Sequence, residues 1–310
     1  MSEHSLIAWL RNRIQITDPA VLTGVGPDDC AILDASAMNR LAISTDMLVE
    51  GTHFDQNIPA QAIGFKAMAA AASDLAASGC RPRWALCALG LRRGLGTHWA
   101  REFGEGLISC AEDLDISLVG GDTTSTDGPV SICVTVCGQP LAGGPVTRGN
   151  AKPGDAILVT GSLGGSIQGR HLRPVVRLQE IEALLNLAQV NACMDITDGL
   201  AMDLWRMMQE SSTGAILEAE AIPLSPAALD LSKESGKSPL EHALRDGEDF
   251  ELLVCLQQDD WPEVAGKWPE FLPNTPLTRI GEVTSEKSLW LAGKDGQRQE
   301  LLPQGYEHDF

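Results

Sequence analysis

Basic residues are scarce in this chain. Lys plus Arg total 23 against 42 Asp plus Glu, a formal net charge of −19 over 310 residues. A field of that sign repels a nucleic-acid backbone and an anionic membrane, so neither is expected as a partner. It repels ATP as well, so a nucleotide enzyme built on this chain needs bound cations or local arginines. Long apolar runs are missing too. None approaches the roughly 20 residues a bilayer span needs, although 44% of the residues are hydrophobic. Residues 1–10 hold no basic stretch leading into an apolar one, so no secretory signal is expected and the chain reads as cytoplasmic.

Closely spaced cysteines are also lacking. The eight (30, 80, 87, 110, 133, 137, 193 and 255) are scattered with no Cys-x-x-Cys pair, which points to free, mostly buried thiols. Cys133 and Cys137 stand four apart in an alternating segment and share one strand face, where packing explains them. No Gly-x-x-x-x-Gly-Lys-Ser/Thr occurs, which excludes a P-loop. Gly161-Ser-Leu-Gly-Gly-Ser follows a strand and resembles a phosphate-cradling turn. It lacks the Rossmann spacing and any lysine, and a plain strand-to-helix turn explains it equally well. Tandem repeats and low-complexity segments are absent.

What the chain does have is aspartate set among small residues, at five separate places. These are Asp28-Asp29 after Gly-Val-Gly-Pro, Asp46 in Ser44-Thr45-Asp46, Asp74 in an alanine-rich stretch, Asp122 after Gly120-Gly121, and Asp195 with Asp198 in Met-Asp-Ile-Thr-Asp-Gly. Small neighbours let backbone approach a ligand closely, and carboxylates there invite hard divalent cations. Gathering such residues from distant segments suggests a Mg²⁺ site for a polyphosphate.

Three hundred and ten residues suffice for two domains. Leu41 to Ser44 reads as a strand that delivers Thr45-Asp46 at its C-terminal end. Ala60 to Ser78 reads as a helix stopped by Gly79 and Pro82. Trp84 to Leu91 is a strand, Thr97 caps a helix to about Leu114, and Ile116 to Val119 is a strand ending at Gly120-Gly121-Asp122. Val130 to Cys137 alternates as a half-buried strand. Gly and Pro then crowd residues 138–154, which places a boundary between domains 1–140 and 141–310. Beyond it come strands at Asp155–Thr160, Ala192–Asp195, Phe250–Leu256, Leu277–Val283 and Ser288–Leu291. Helices are expected at Val176–Gln189 and Asp198–Ser211, the latter with an apolar stripe of Leu200, Leu204, Met207 and Met208. Mixed elements in both halves give an α/β or α+β fold in two domains.

Each candidate has an ordinary reading beside the chemical one. Asp74 is a poor helix-interior residue; it is either a solvated position on a buried helix or a carboxylate facing Asp46 and a metal. Ser44-Thr45-Asp46 supplies three hard oxygen donors, or a turn with an N-cap. Paired glycines before Asp122 suit close approach to phosphate. Asp195 and Asp198 precede a helix whose N-terminus favours anions, and simple capping of that helix is the plain alternative. Asp28 and Asp29 repel each other unless a cation intervenes or the turn is exposed. His53 alone is more often structural than catalytic. Arg148 in its Gly-rich hinge suits a phosphate clamp, and a surface arginine is the plain alternative. Glu248 and Asp249 precede an apolar strand, where acidic residues are often merely solvated.

Taken together and in this order, these segments resemble the thiamine-monophosphate kinase family of the aminoimidazole-ribonucleotide-synthetase-like superfamily. The resemblance runs nearly the whole length. It rests on Gly24-Val-Gly-Pro-Asp-Asp-Cys30, Ser44 to Phe54, Lys66 to Ala76, Gly120-Gly-Asp-Thr-Thr124, Thr147-Arg148 with Ala151 to Asp155, Met194 to Leu200, and Gly247-Glu-Asp-Phe-Glu-Leu252. It implies phosphoryl transfer from ATP to thiamine monophosphate, giving thiamine diphosphate. Asp29, Ser44, Thr45, Asp46, Asp74, Asp122, Asp195 and Asp198 are implied to hold several Mg²⁺ ions. Gly121, Asp122, Arg148 and Thr197 are implied to contact ATP, and His53, Glu248 and Tyr306 the thiamine moiety. No side chain is implied as a general acid or base. The implied assembly is a homodimer whose N-terminal sheets join in a shared barrel, with the sites near the junction of domains. The acceptor is itself an anionic phosphate oxygen, so the difficulty is bringing two anions together, which suits many carboxylates and metal assistance.

This chain departs from the family at Pro27 between Gly26 and Asp28, which leaves either Asp28 or Asp29 as the ligand. It departs again at Asp246 before Gly247 and in the short 161–173 segment. The alternatives are another ATP-using enzyme of the superfamily, of the aminoimidazole ribonucleotide synthetase or selenophosphate synthetase type, or a non-catalytic cation-binding protein.

Overall fold

The computed structural model describes residues 9–10, 12–24, 31–36 and 38–307, so Asp28 and Asp29 lie outside the described residues. The chain divides into one unit of Met1–Leu75 with Cys80–Pro140 and another of Ala76–Gly79 with Leu141–Phe310.

In the first unit a small antiparallel pair, β1 (Val21–Thr23) and β2 (Ile32–Leu33), precedes a four-stranded sheet. That sheet has β3 (Ala42–Val49), β4 (Cys80–Arg92), β5 (Ser117–Thr126) and β6 (Ser131–Pro140), in the order β3-β6-β4-β5. β6 runs antiparallel to both its neighbours, while β4 and β5 are parallel. The helices are α1 (Ala60–Ala77) and α2 (Thr97–Asp113). Strand alternation gives the sheet two faces. Leu48, Ile132, Val134 and Val136 are buried on one, while Ile43, Met47 and Leu86 are exposed. Along α1, every residue from Ala67 to Ala77 is buried except Asp74. A helix apolar all round belongs in an interior, and the one polar position that reaches outward is the carboxylate.

Several strands exceed their expected bounds, among them β3, β4 and β5. β3 continues through Thr45 and Asp46 to Val49, so Asp46 stands mid-strand instead of at a strand end. β5 continues through Gly120-Gly121-Asp122 to Thr126. β4 begins at Cys80 and carries Pro82 at a register shift, where a missing N–H is tolerated. In each case hydrogen bonds from a neighbouring strand extend the element past the point where its own apolar pattern stops.

The second unit holds a seven-stranded sheet. Its strands are β7 (Asp155–Thr160), β8 (Val190–Asp195), β9 (Gly214–Glu218), β10 (Leu252–Gln257), β11 (Leu277–Thr284), β12 (Leu289–Ala292) and β13 (Arg298–Glu300). They lie in the order β13-β12-β9-β11-β7-β10-β8, antiparallel apart from the β9–β12 pair. The helices are α3 (Leu178–Leu187), α4 (Leu200–Ser211), α5 (Pro226–Ser235), α6 (Pro239–Arg245) and α7 (Trp261–Phe271). The stripe of Leu200, Leu204, Met207 and Met208 is buried in the core with Ile157, Val159 and Leu253. α4 starts at Leu200, later than expected, because Gly199 has φ 109°, and β10 starts at Leu252 because Phe250 has φ 52°. Both values lie outside helix and strand regions. Among the described residues no helix is long and apolar enough to cross a membrane, and seven cysteines are free thiols.

Candidate functional site

In the first unit the fold brings Ser44 to Asp74. The Ser44 hydroxyl donates to Asp74 Oδ2 at 2.5 Å, joining β3 to α1. Asp46, two residues along and on the same face, accepts from the backbone N–H of Met47 at 2.7 Å. Thr45 points to the opposite face, where its hydroxyl lies 3.0 Å from Thr135 Oγ1 and 3.2 Å from Cys133 Sγ. Gly121 and Asp122 stand on β5, the other edge of the sheet, with two strands between them and Asp46. A Cβ at Gly121 would meet the Cys87 carbonyl oxygen at 1.9 Å, so only glycine allows this close pairing. Past the end of β3, His53 accepts the Val49 N–H on Nδ1 at 3.0 Å. Buried Lys66 donates to the His53 carbonyl at 3.1 Å, which holds this histidine in a tight turn.

In the second unit three distant segments meet around residues 195–198. Asp195 ends β8 and is buried. The amides of Thr197 and Asp198 both donate to Asp203 Oδ2 at 2.9 Å, from the first turn of α4. Burial pushes the Asp203 carboxyl up to about 6, against the downward pull of those amides and of Arg206. Arg206 pairs with Asp198 and, at 3.1 Å, with Asp203. The Thr197 carbonyl accepts from the Glu248 N–H at 2.7 Å, and the Asp198 carbonyl from the Tyr306 N–H at 3.0 Å. Gly305 allows the second contact, since a Cβ there would sit 2.2 Å from the Asp198 oxygen. Arg148 is exposed, and its backbone carbonyl is tied to Ser211 at the end of α4 at 3.1 Å.

The Gly161-Ser-Leu-Gly-Gly-Ser turn is filled by the chain's own carboxylates. Gly164 N–H donates to both oxygens of Asp249 at 3.0 Å, and Gly165 N–H to Asp246 at 2.9 Å. Arg170 pairs with Asp249, and Arg177 binds Glu251 in a two-pronged contact, 2.7 Å on each side. Asp249 is therefore a buried partner of arginine, not a solvated residue before a strand, and Glu251 is buried with it.

Among the described residues no three His, Cys, Asp or Glu side chains gather as a ready-made metal site. Sequence reasoning missed Asp203, Arg206, Arg170 and Arg177. The i,i+3 spacing of Asp203 and Arg206 within a recognisable helix was an available clue. Arg170 and Arg177 meet Asp249 and Glu251 more than seventy residues away, contacts that no spacing marks, although Arg177 also pairs with Glu180 three residues on.

Comparison with known proteins defines the class. The model for the AIR synthase related protein, N-terminal domain, matches residues 27–140, and that for its C-terminal domain matches residues 152–292. The thiamine-monophosphate kinase of Rhodopirellula baltica is 38% identical, covering 99% of this chain and 97% of that one. The crystal structure of the thiamine-monophosphate kinase from Stenotrophomonas maltophilia K279a superposes with a TM-score of 0.82 at 33% identity, covering 96% of this chain and 98% of that one. AaThiL complexed with AMPPCP and TMP gives 0.76 at 27% identity, covering 99% and 97%. Within the AIR synthase-related class, the chain belongs to the thiamine-monophosphate kinase family.

Proposed function

We propose that this chain phosphorylates thiamine monophosphate to thiamine diphosphate, taking the phosphoryl group of ATP by direct in-line transfer with several Mg²⁺ ions. What most supports the reading within the chain is the meeting of Thr197–Asp198, Glu248 and Tyr306 through backbone hydrogen bonds. Residues assigned to nucleotide and to thiamine are thereby held in one place.

The donor set fits magnesium. Ser44, Asp46, Asp74, Asp122, Asp195 and Asp198 offer only hard oxygens, with the Thr45 carbonyl and Asp29 as further members. Mg²⁺ is ordinarily shared between one or two carboxylates and substrate phosphates, so these donors need not form an all-protein cage. When bound, such ions neutralise the approaching phosphates and align them.

The chain's own groups would then bind and orient. Arg148 offers an exposed planar fork for phosphate, and Gly121, Asp122 and Thr197 would contact ATP as well. His53, Glu248 and Tyr306 would face the thiamine, whose cationic ring suits a carboxylate and an aromatic face. No proton need be removed from an acceptor oxygen that is already anionic, so none of these residues acts as a base. Residues 1–140 would serve ATP and metal binding and dimerisation, with 141–310 as the C-terminal domain. The exposed apolar residues Ile43, Met47 and Leu86 would lie inside a barrel formed with a second copy.

The direct test is incubation of purified protein with thiamine monophosphate, ATP and Mg²⁺. Thiamine diphosphate is the expected product; turnover on aminoimidazole precursors instead would move the assignment to a sibling enzyme.

A further inference from the structure

The segment Gly247–Phe250 is held in an uncommon shape. Gly247, Glu248 and Phe250 have φ of 72°, 53° and 52°, and a bulky or β-carbon-bearing residue rarely adopts that region. Such conformations persist only when the surroundings over-determine them. Here the fixing groups alternate with the strained ones. Asp249 is buried beneath the Gly164 amide and the Arg170 guanidinium, and Glu251 lies under Arg177 and the Thr160 hydroxyl, 2.7 Å away. Arg170 is itself fixed, donating to the Ser162 carbonyl at 2.6 Å. On the other side of the segment, the N–H groups of Glu248 and Phe250 donate to the carbonyls of Thr197 and Ile196 at 2.7 and 2.9 Å. One run of backbone therefore links the arginine clamp to the Thr197 loop.

We propose that Arg170 is a positioning residue for the transfer, holding Gly247–Phe250 through Asp249 and so fixing where Glu248 meets the thiamine moiety. The inference rests on the kinase reading above for the identity of the substrate. Burial, reinforced by nearby Glu251, pushes the Asp249 carboxyl up, and Arg170 is the principal group pulling it back. Loss of that guanidinium would leave a buried acid that favours its neutral form and grips less firmly. Arg170 touches neither substrate nor metal in this scheme. Its side chain is about one-third exposed, so its replacement does not open the core.

Two measurements decide the proposal. Steady-state kinetics of R170M and of the isosteric D249N should show KM for thiamine monophosphate raised about tenfold, with KM for ATP changed less than about twofold. On an E248Q background, R170M should add nothing further, because both changes remove the same contact. Losses that multiply, or a KM for thiamine monophosphate within about twofold of wild type, overturn it. Amide exchange reads the clamp without reference to substrate. The N–H groups of Glu248 and Phe250 should exchange at least about tenfold faster in R170M, and unchanged exchange overturns the clamp. A wild-type protein inactive on thiamine monophosphate would refute the kinase reading and with it the role in transfer, while the exchange result would still say whether Arg170 holds the segment.

Discussion

The Ser44 hydroxyl donates to the Asp74 carboxylate across 2.5 Å, joining an edge strand to a helix that is buried on all its other late positions. The two partners should separate by experiment. S44A removes one hydrogen bond, worth about 1 kcal/mol, and one neutral oxygen donor, so it should lower the unfolding temperature slightly and shift the magnesium dependence less than loss of the Asp74 charge does. D74N keeps the size and an acceptor oxygen but loses the charge. Its rate should fall about a hundredfold or more, with the Mg²⁺ concentration for half-maximal rate displaced upward. A magnesium titration of both variants checks this; full activity of D74N at unchanged magnesium would remove Asp74 from the metal set.

Thr45 and Asp46 are adjacent and face opposite ways. Asp46→Asn should abolish turnover and leave the fold intact, whereas T45V should leave the rate within about threefold, because any role of Thr45 in metal binding falls to its carbonyl. The open face that Thr45 shares with Ile43 and Met47 gives a second readout. M47E places a charge on that apolar surface and should convert a dimer to a monomer in sedimentation. A wild-type chain that sediments as a monomer would sink the barrel.

Much of this was legible in the sequence. Alternation from Val130 to Cys137 and the α4 stripe follow from periodicity that burial enforces, and the helix over residues 60–77 from its run of alanines and the Gly79 stop. The resemblance singled out Thr197, Glu248 and Tyr306 as candidates, although nothing local showed that the backbones of Glu248 and Tyr306 meet the 197–198 loop. The lengths of β3 and β5 were hidden because Thr45, Asp46 and residues 120–126 carry no apolar pattern; their extension is imposed by partners. α6 escaped notice although Ser238 and Glu241 form a capping box just where a helix start would be sought. The arginine clamps were invisible for a different reason. A charge pair formed across more than seventy residues has no spacing rule, and only the fold reveals it.

Gly305 offers a way to test the tail without touching the aromatic ring. A methyl group there would meet the Asp198 carbonyl oxygen at 2.2 Å and the Met202 Cβ at 2.8 Å. G305A should therefore lift Tyr306 from the Thr197–Asp198 loop. The tail is a short exposed segment, so stability should change by less than about 1 kcal/mol. The KM for thiamine monophosphate should rise several-fold, as it should in Y306A. If Y306A binds substrate normally while G305A does not, the defect lies in the Asp198 loop and Tyr306 leaves the substrate set.

Asp249 should leave its mark on stability as a function of pH. Burial, partly opposed by Arg170 and the Gly164 amide and reinforced by nearby Glu251, raises its carboxyl from 3.8 to about 7. Arg177 faces the same group of charges through Glu251. Because the folded state holds the proton more tightly than the unfolded chain, this residue's contribution is full below about pH 4. It is lost as pH rises toward 7, with a limiting slope of about 1.4 kcal/mol per pH unit. D249N cannot ionise and should flatten that part of the stability curve. R170M, lacking the charge that holds the carboxyl down, should carry the decline to higher pH. Urea unfolding from about pH 5 to pH 8 measures all three proteins. Parallel curves for wild type and D249N would mean that Asp249 ionises as easily in the fold as in the open chain, against the burial that surrounds it.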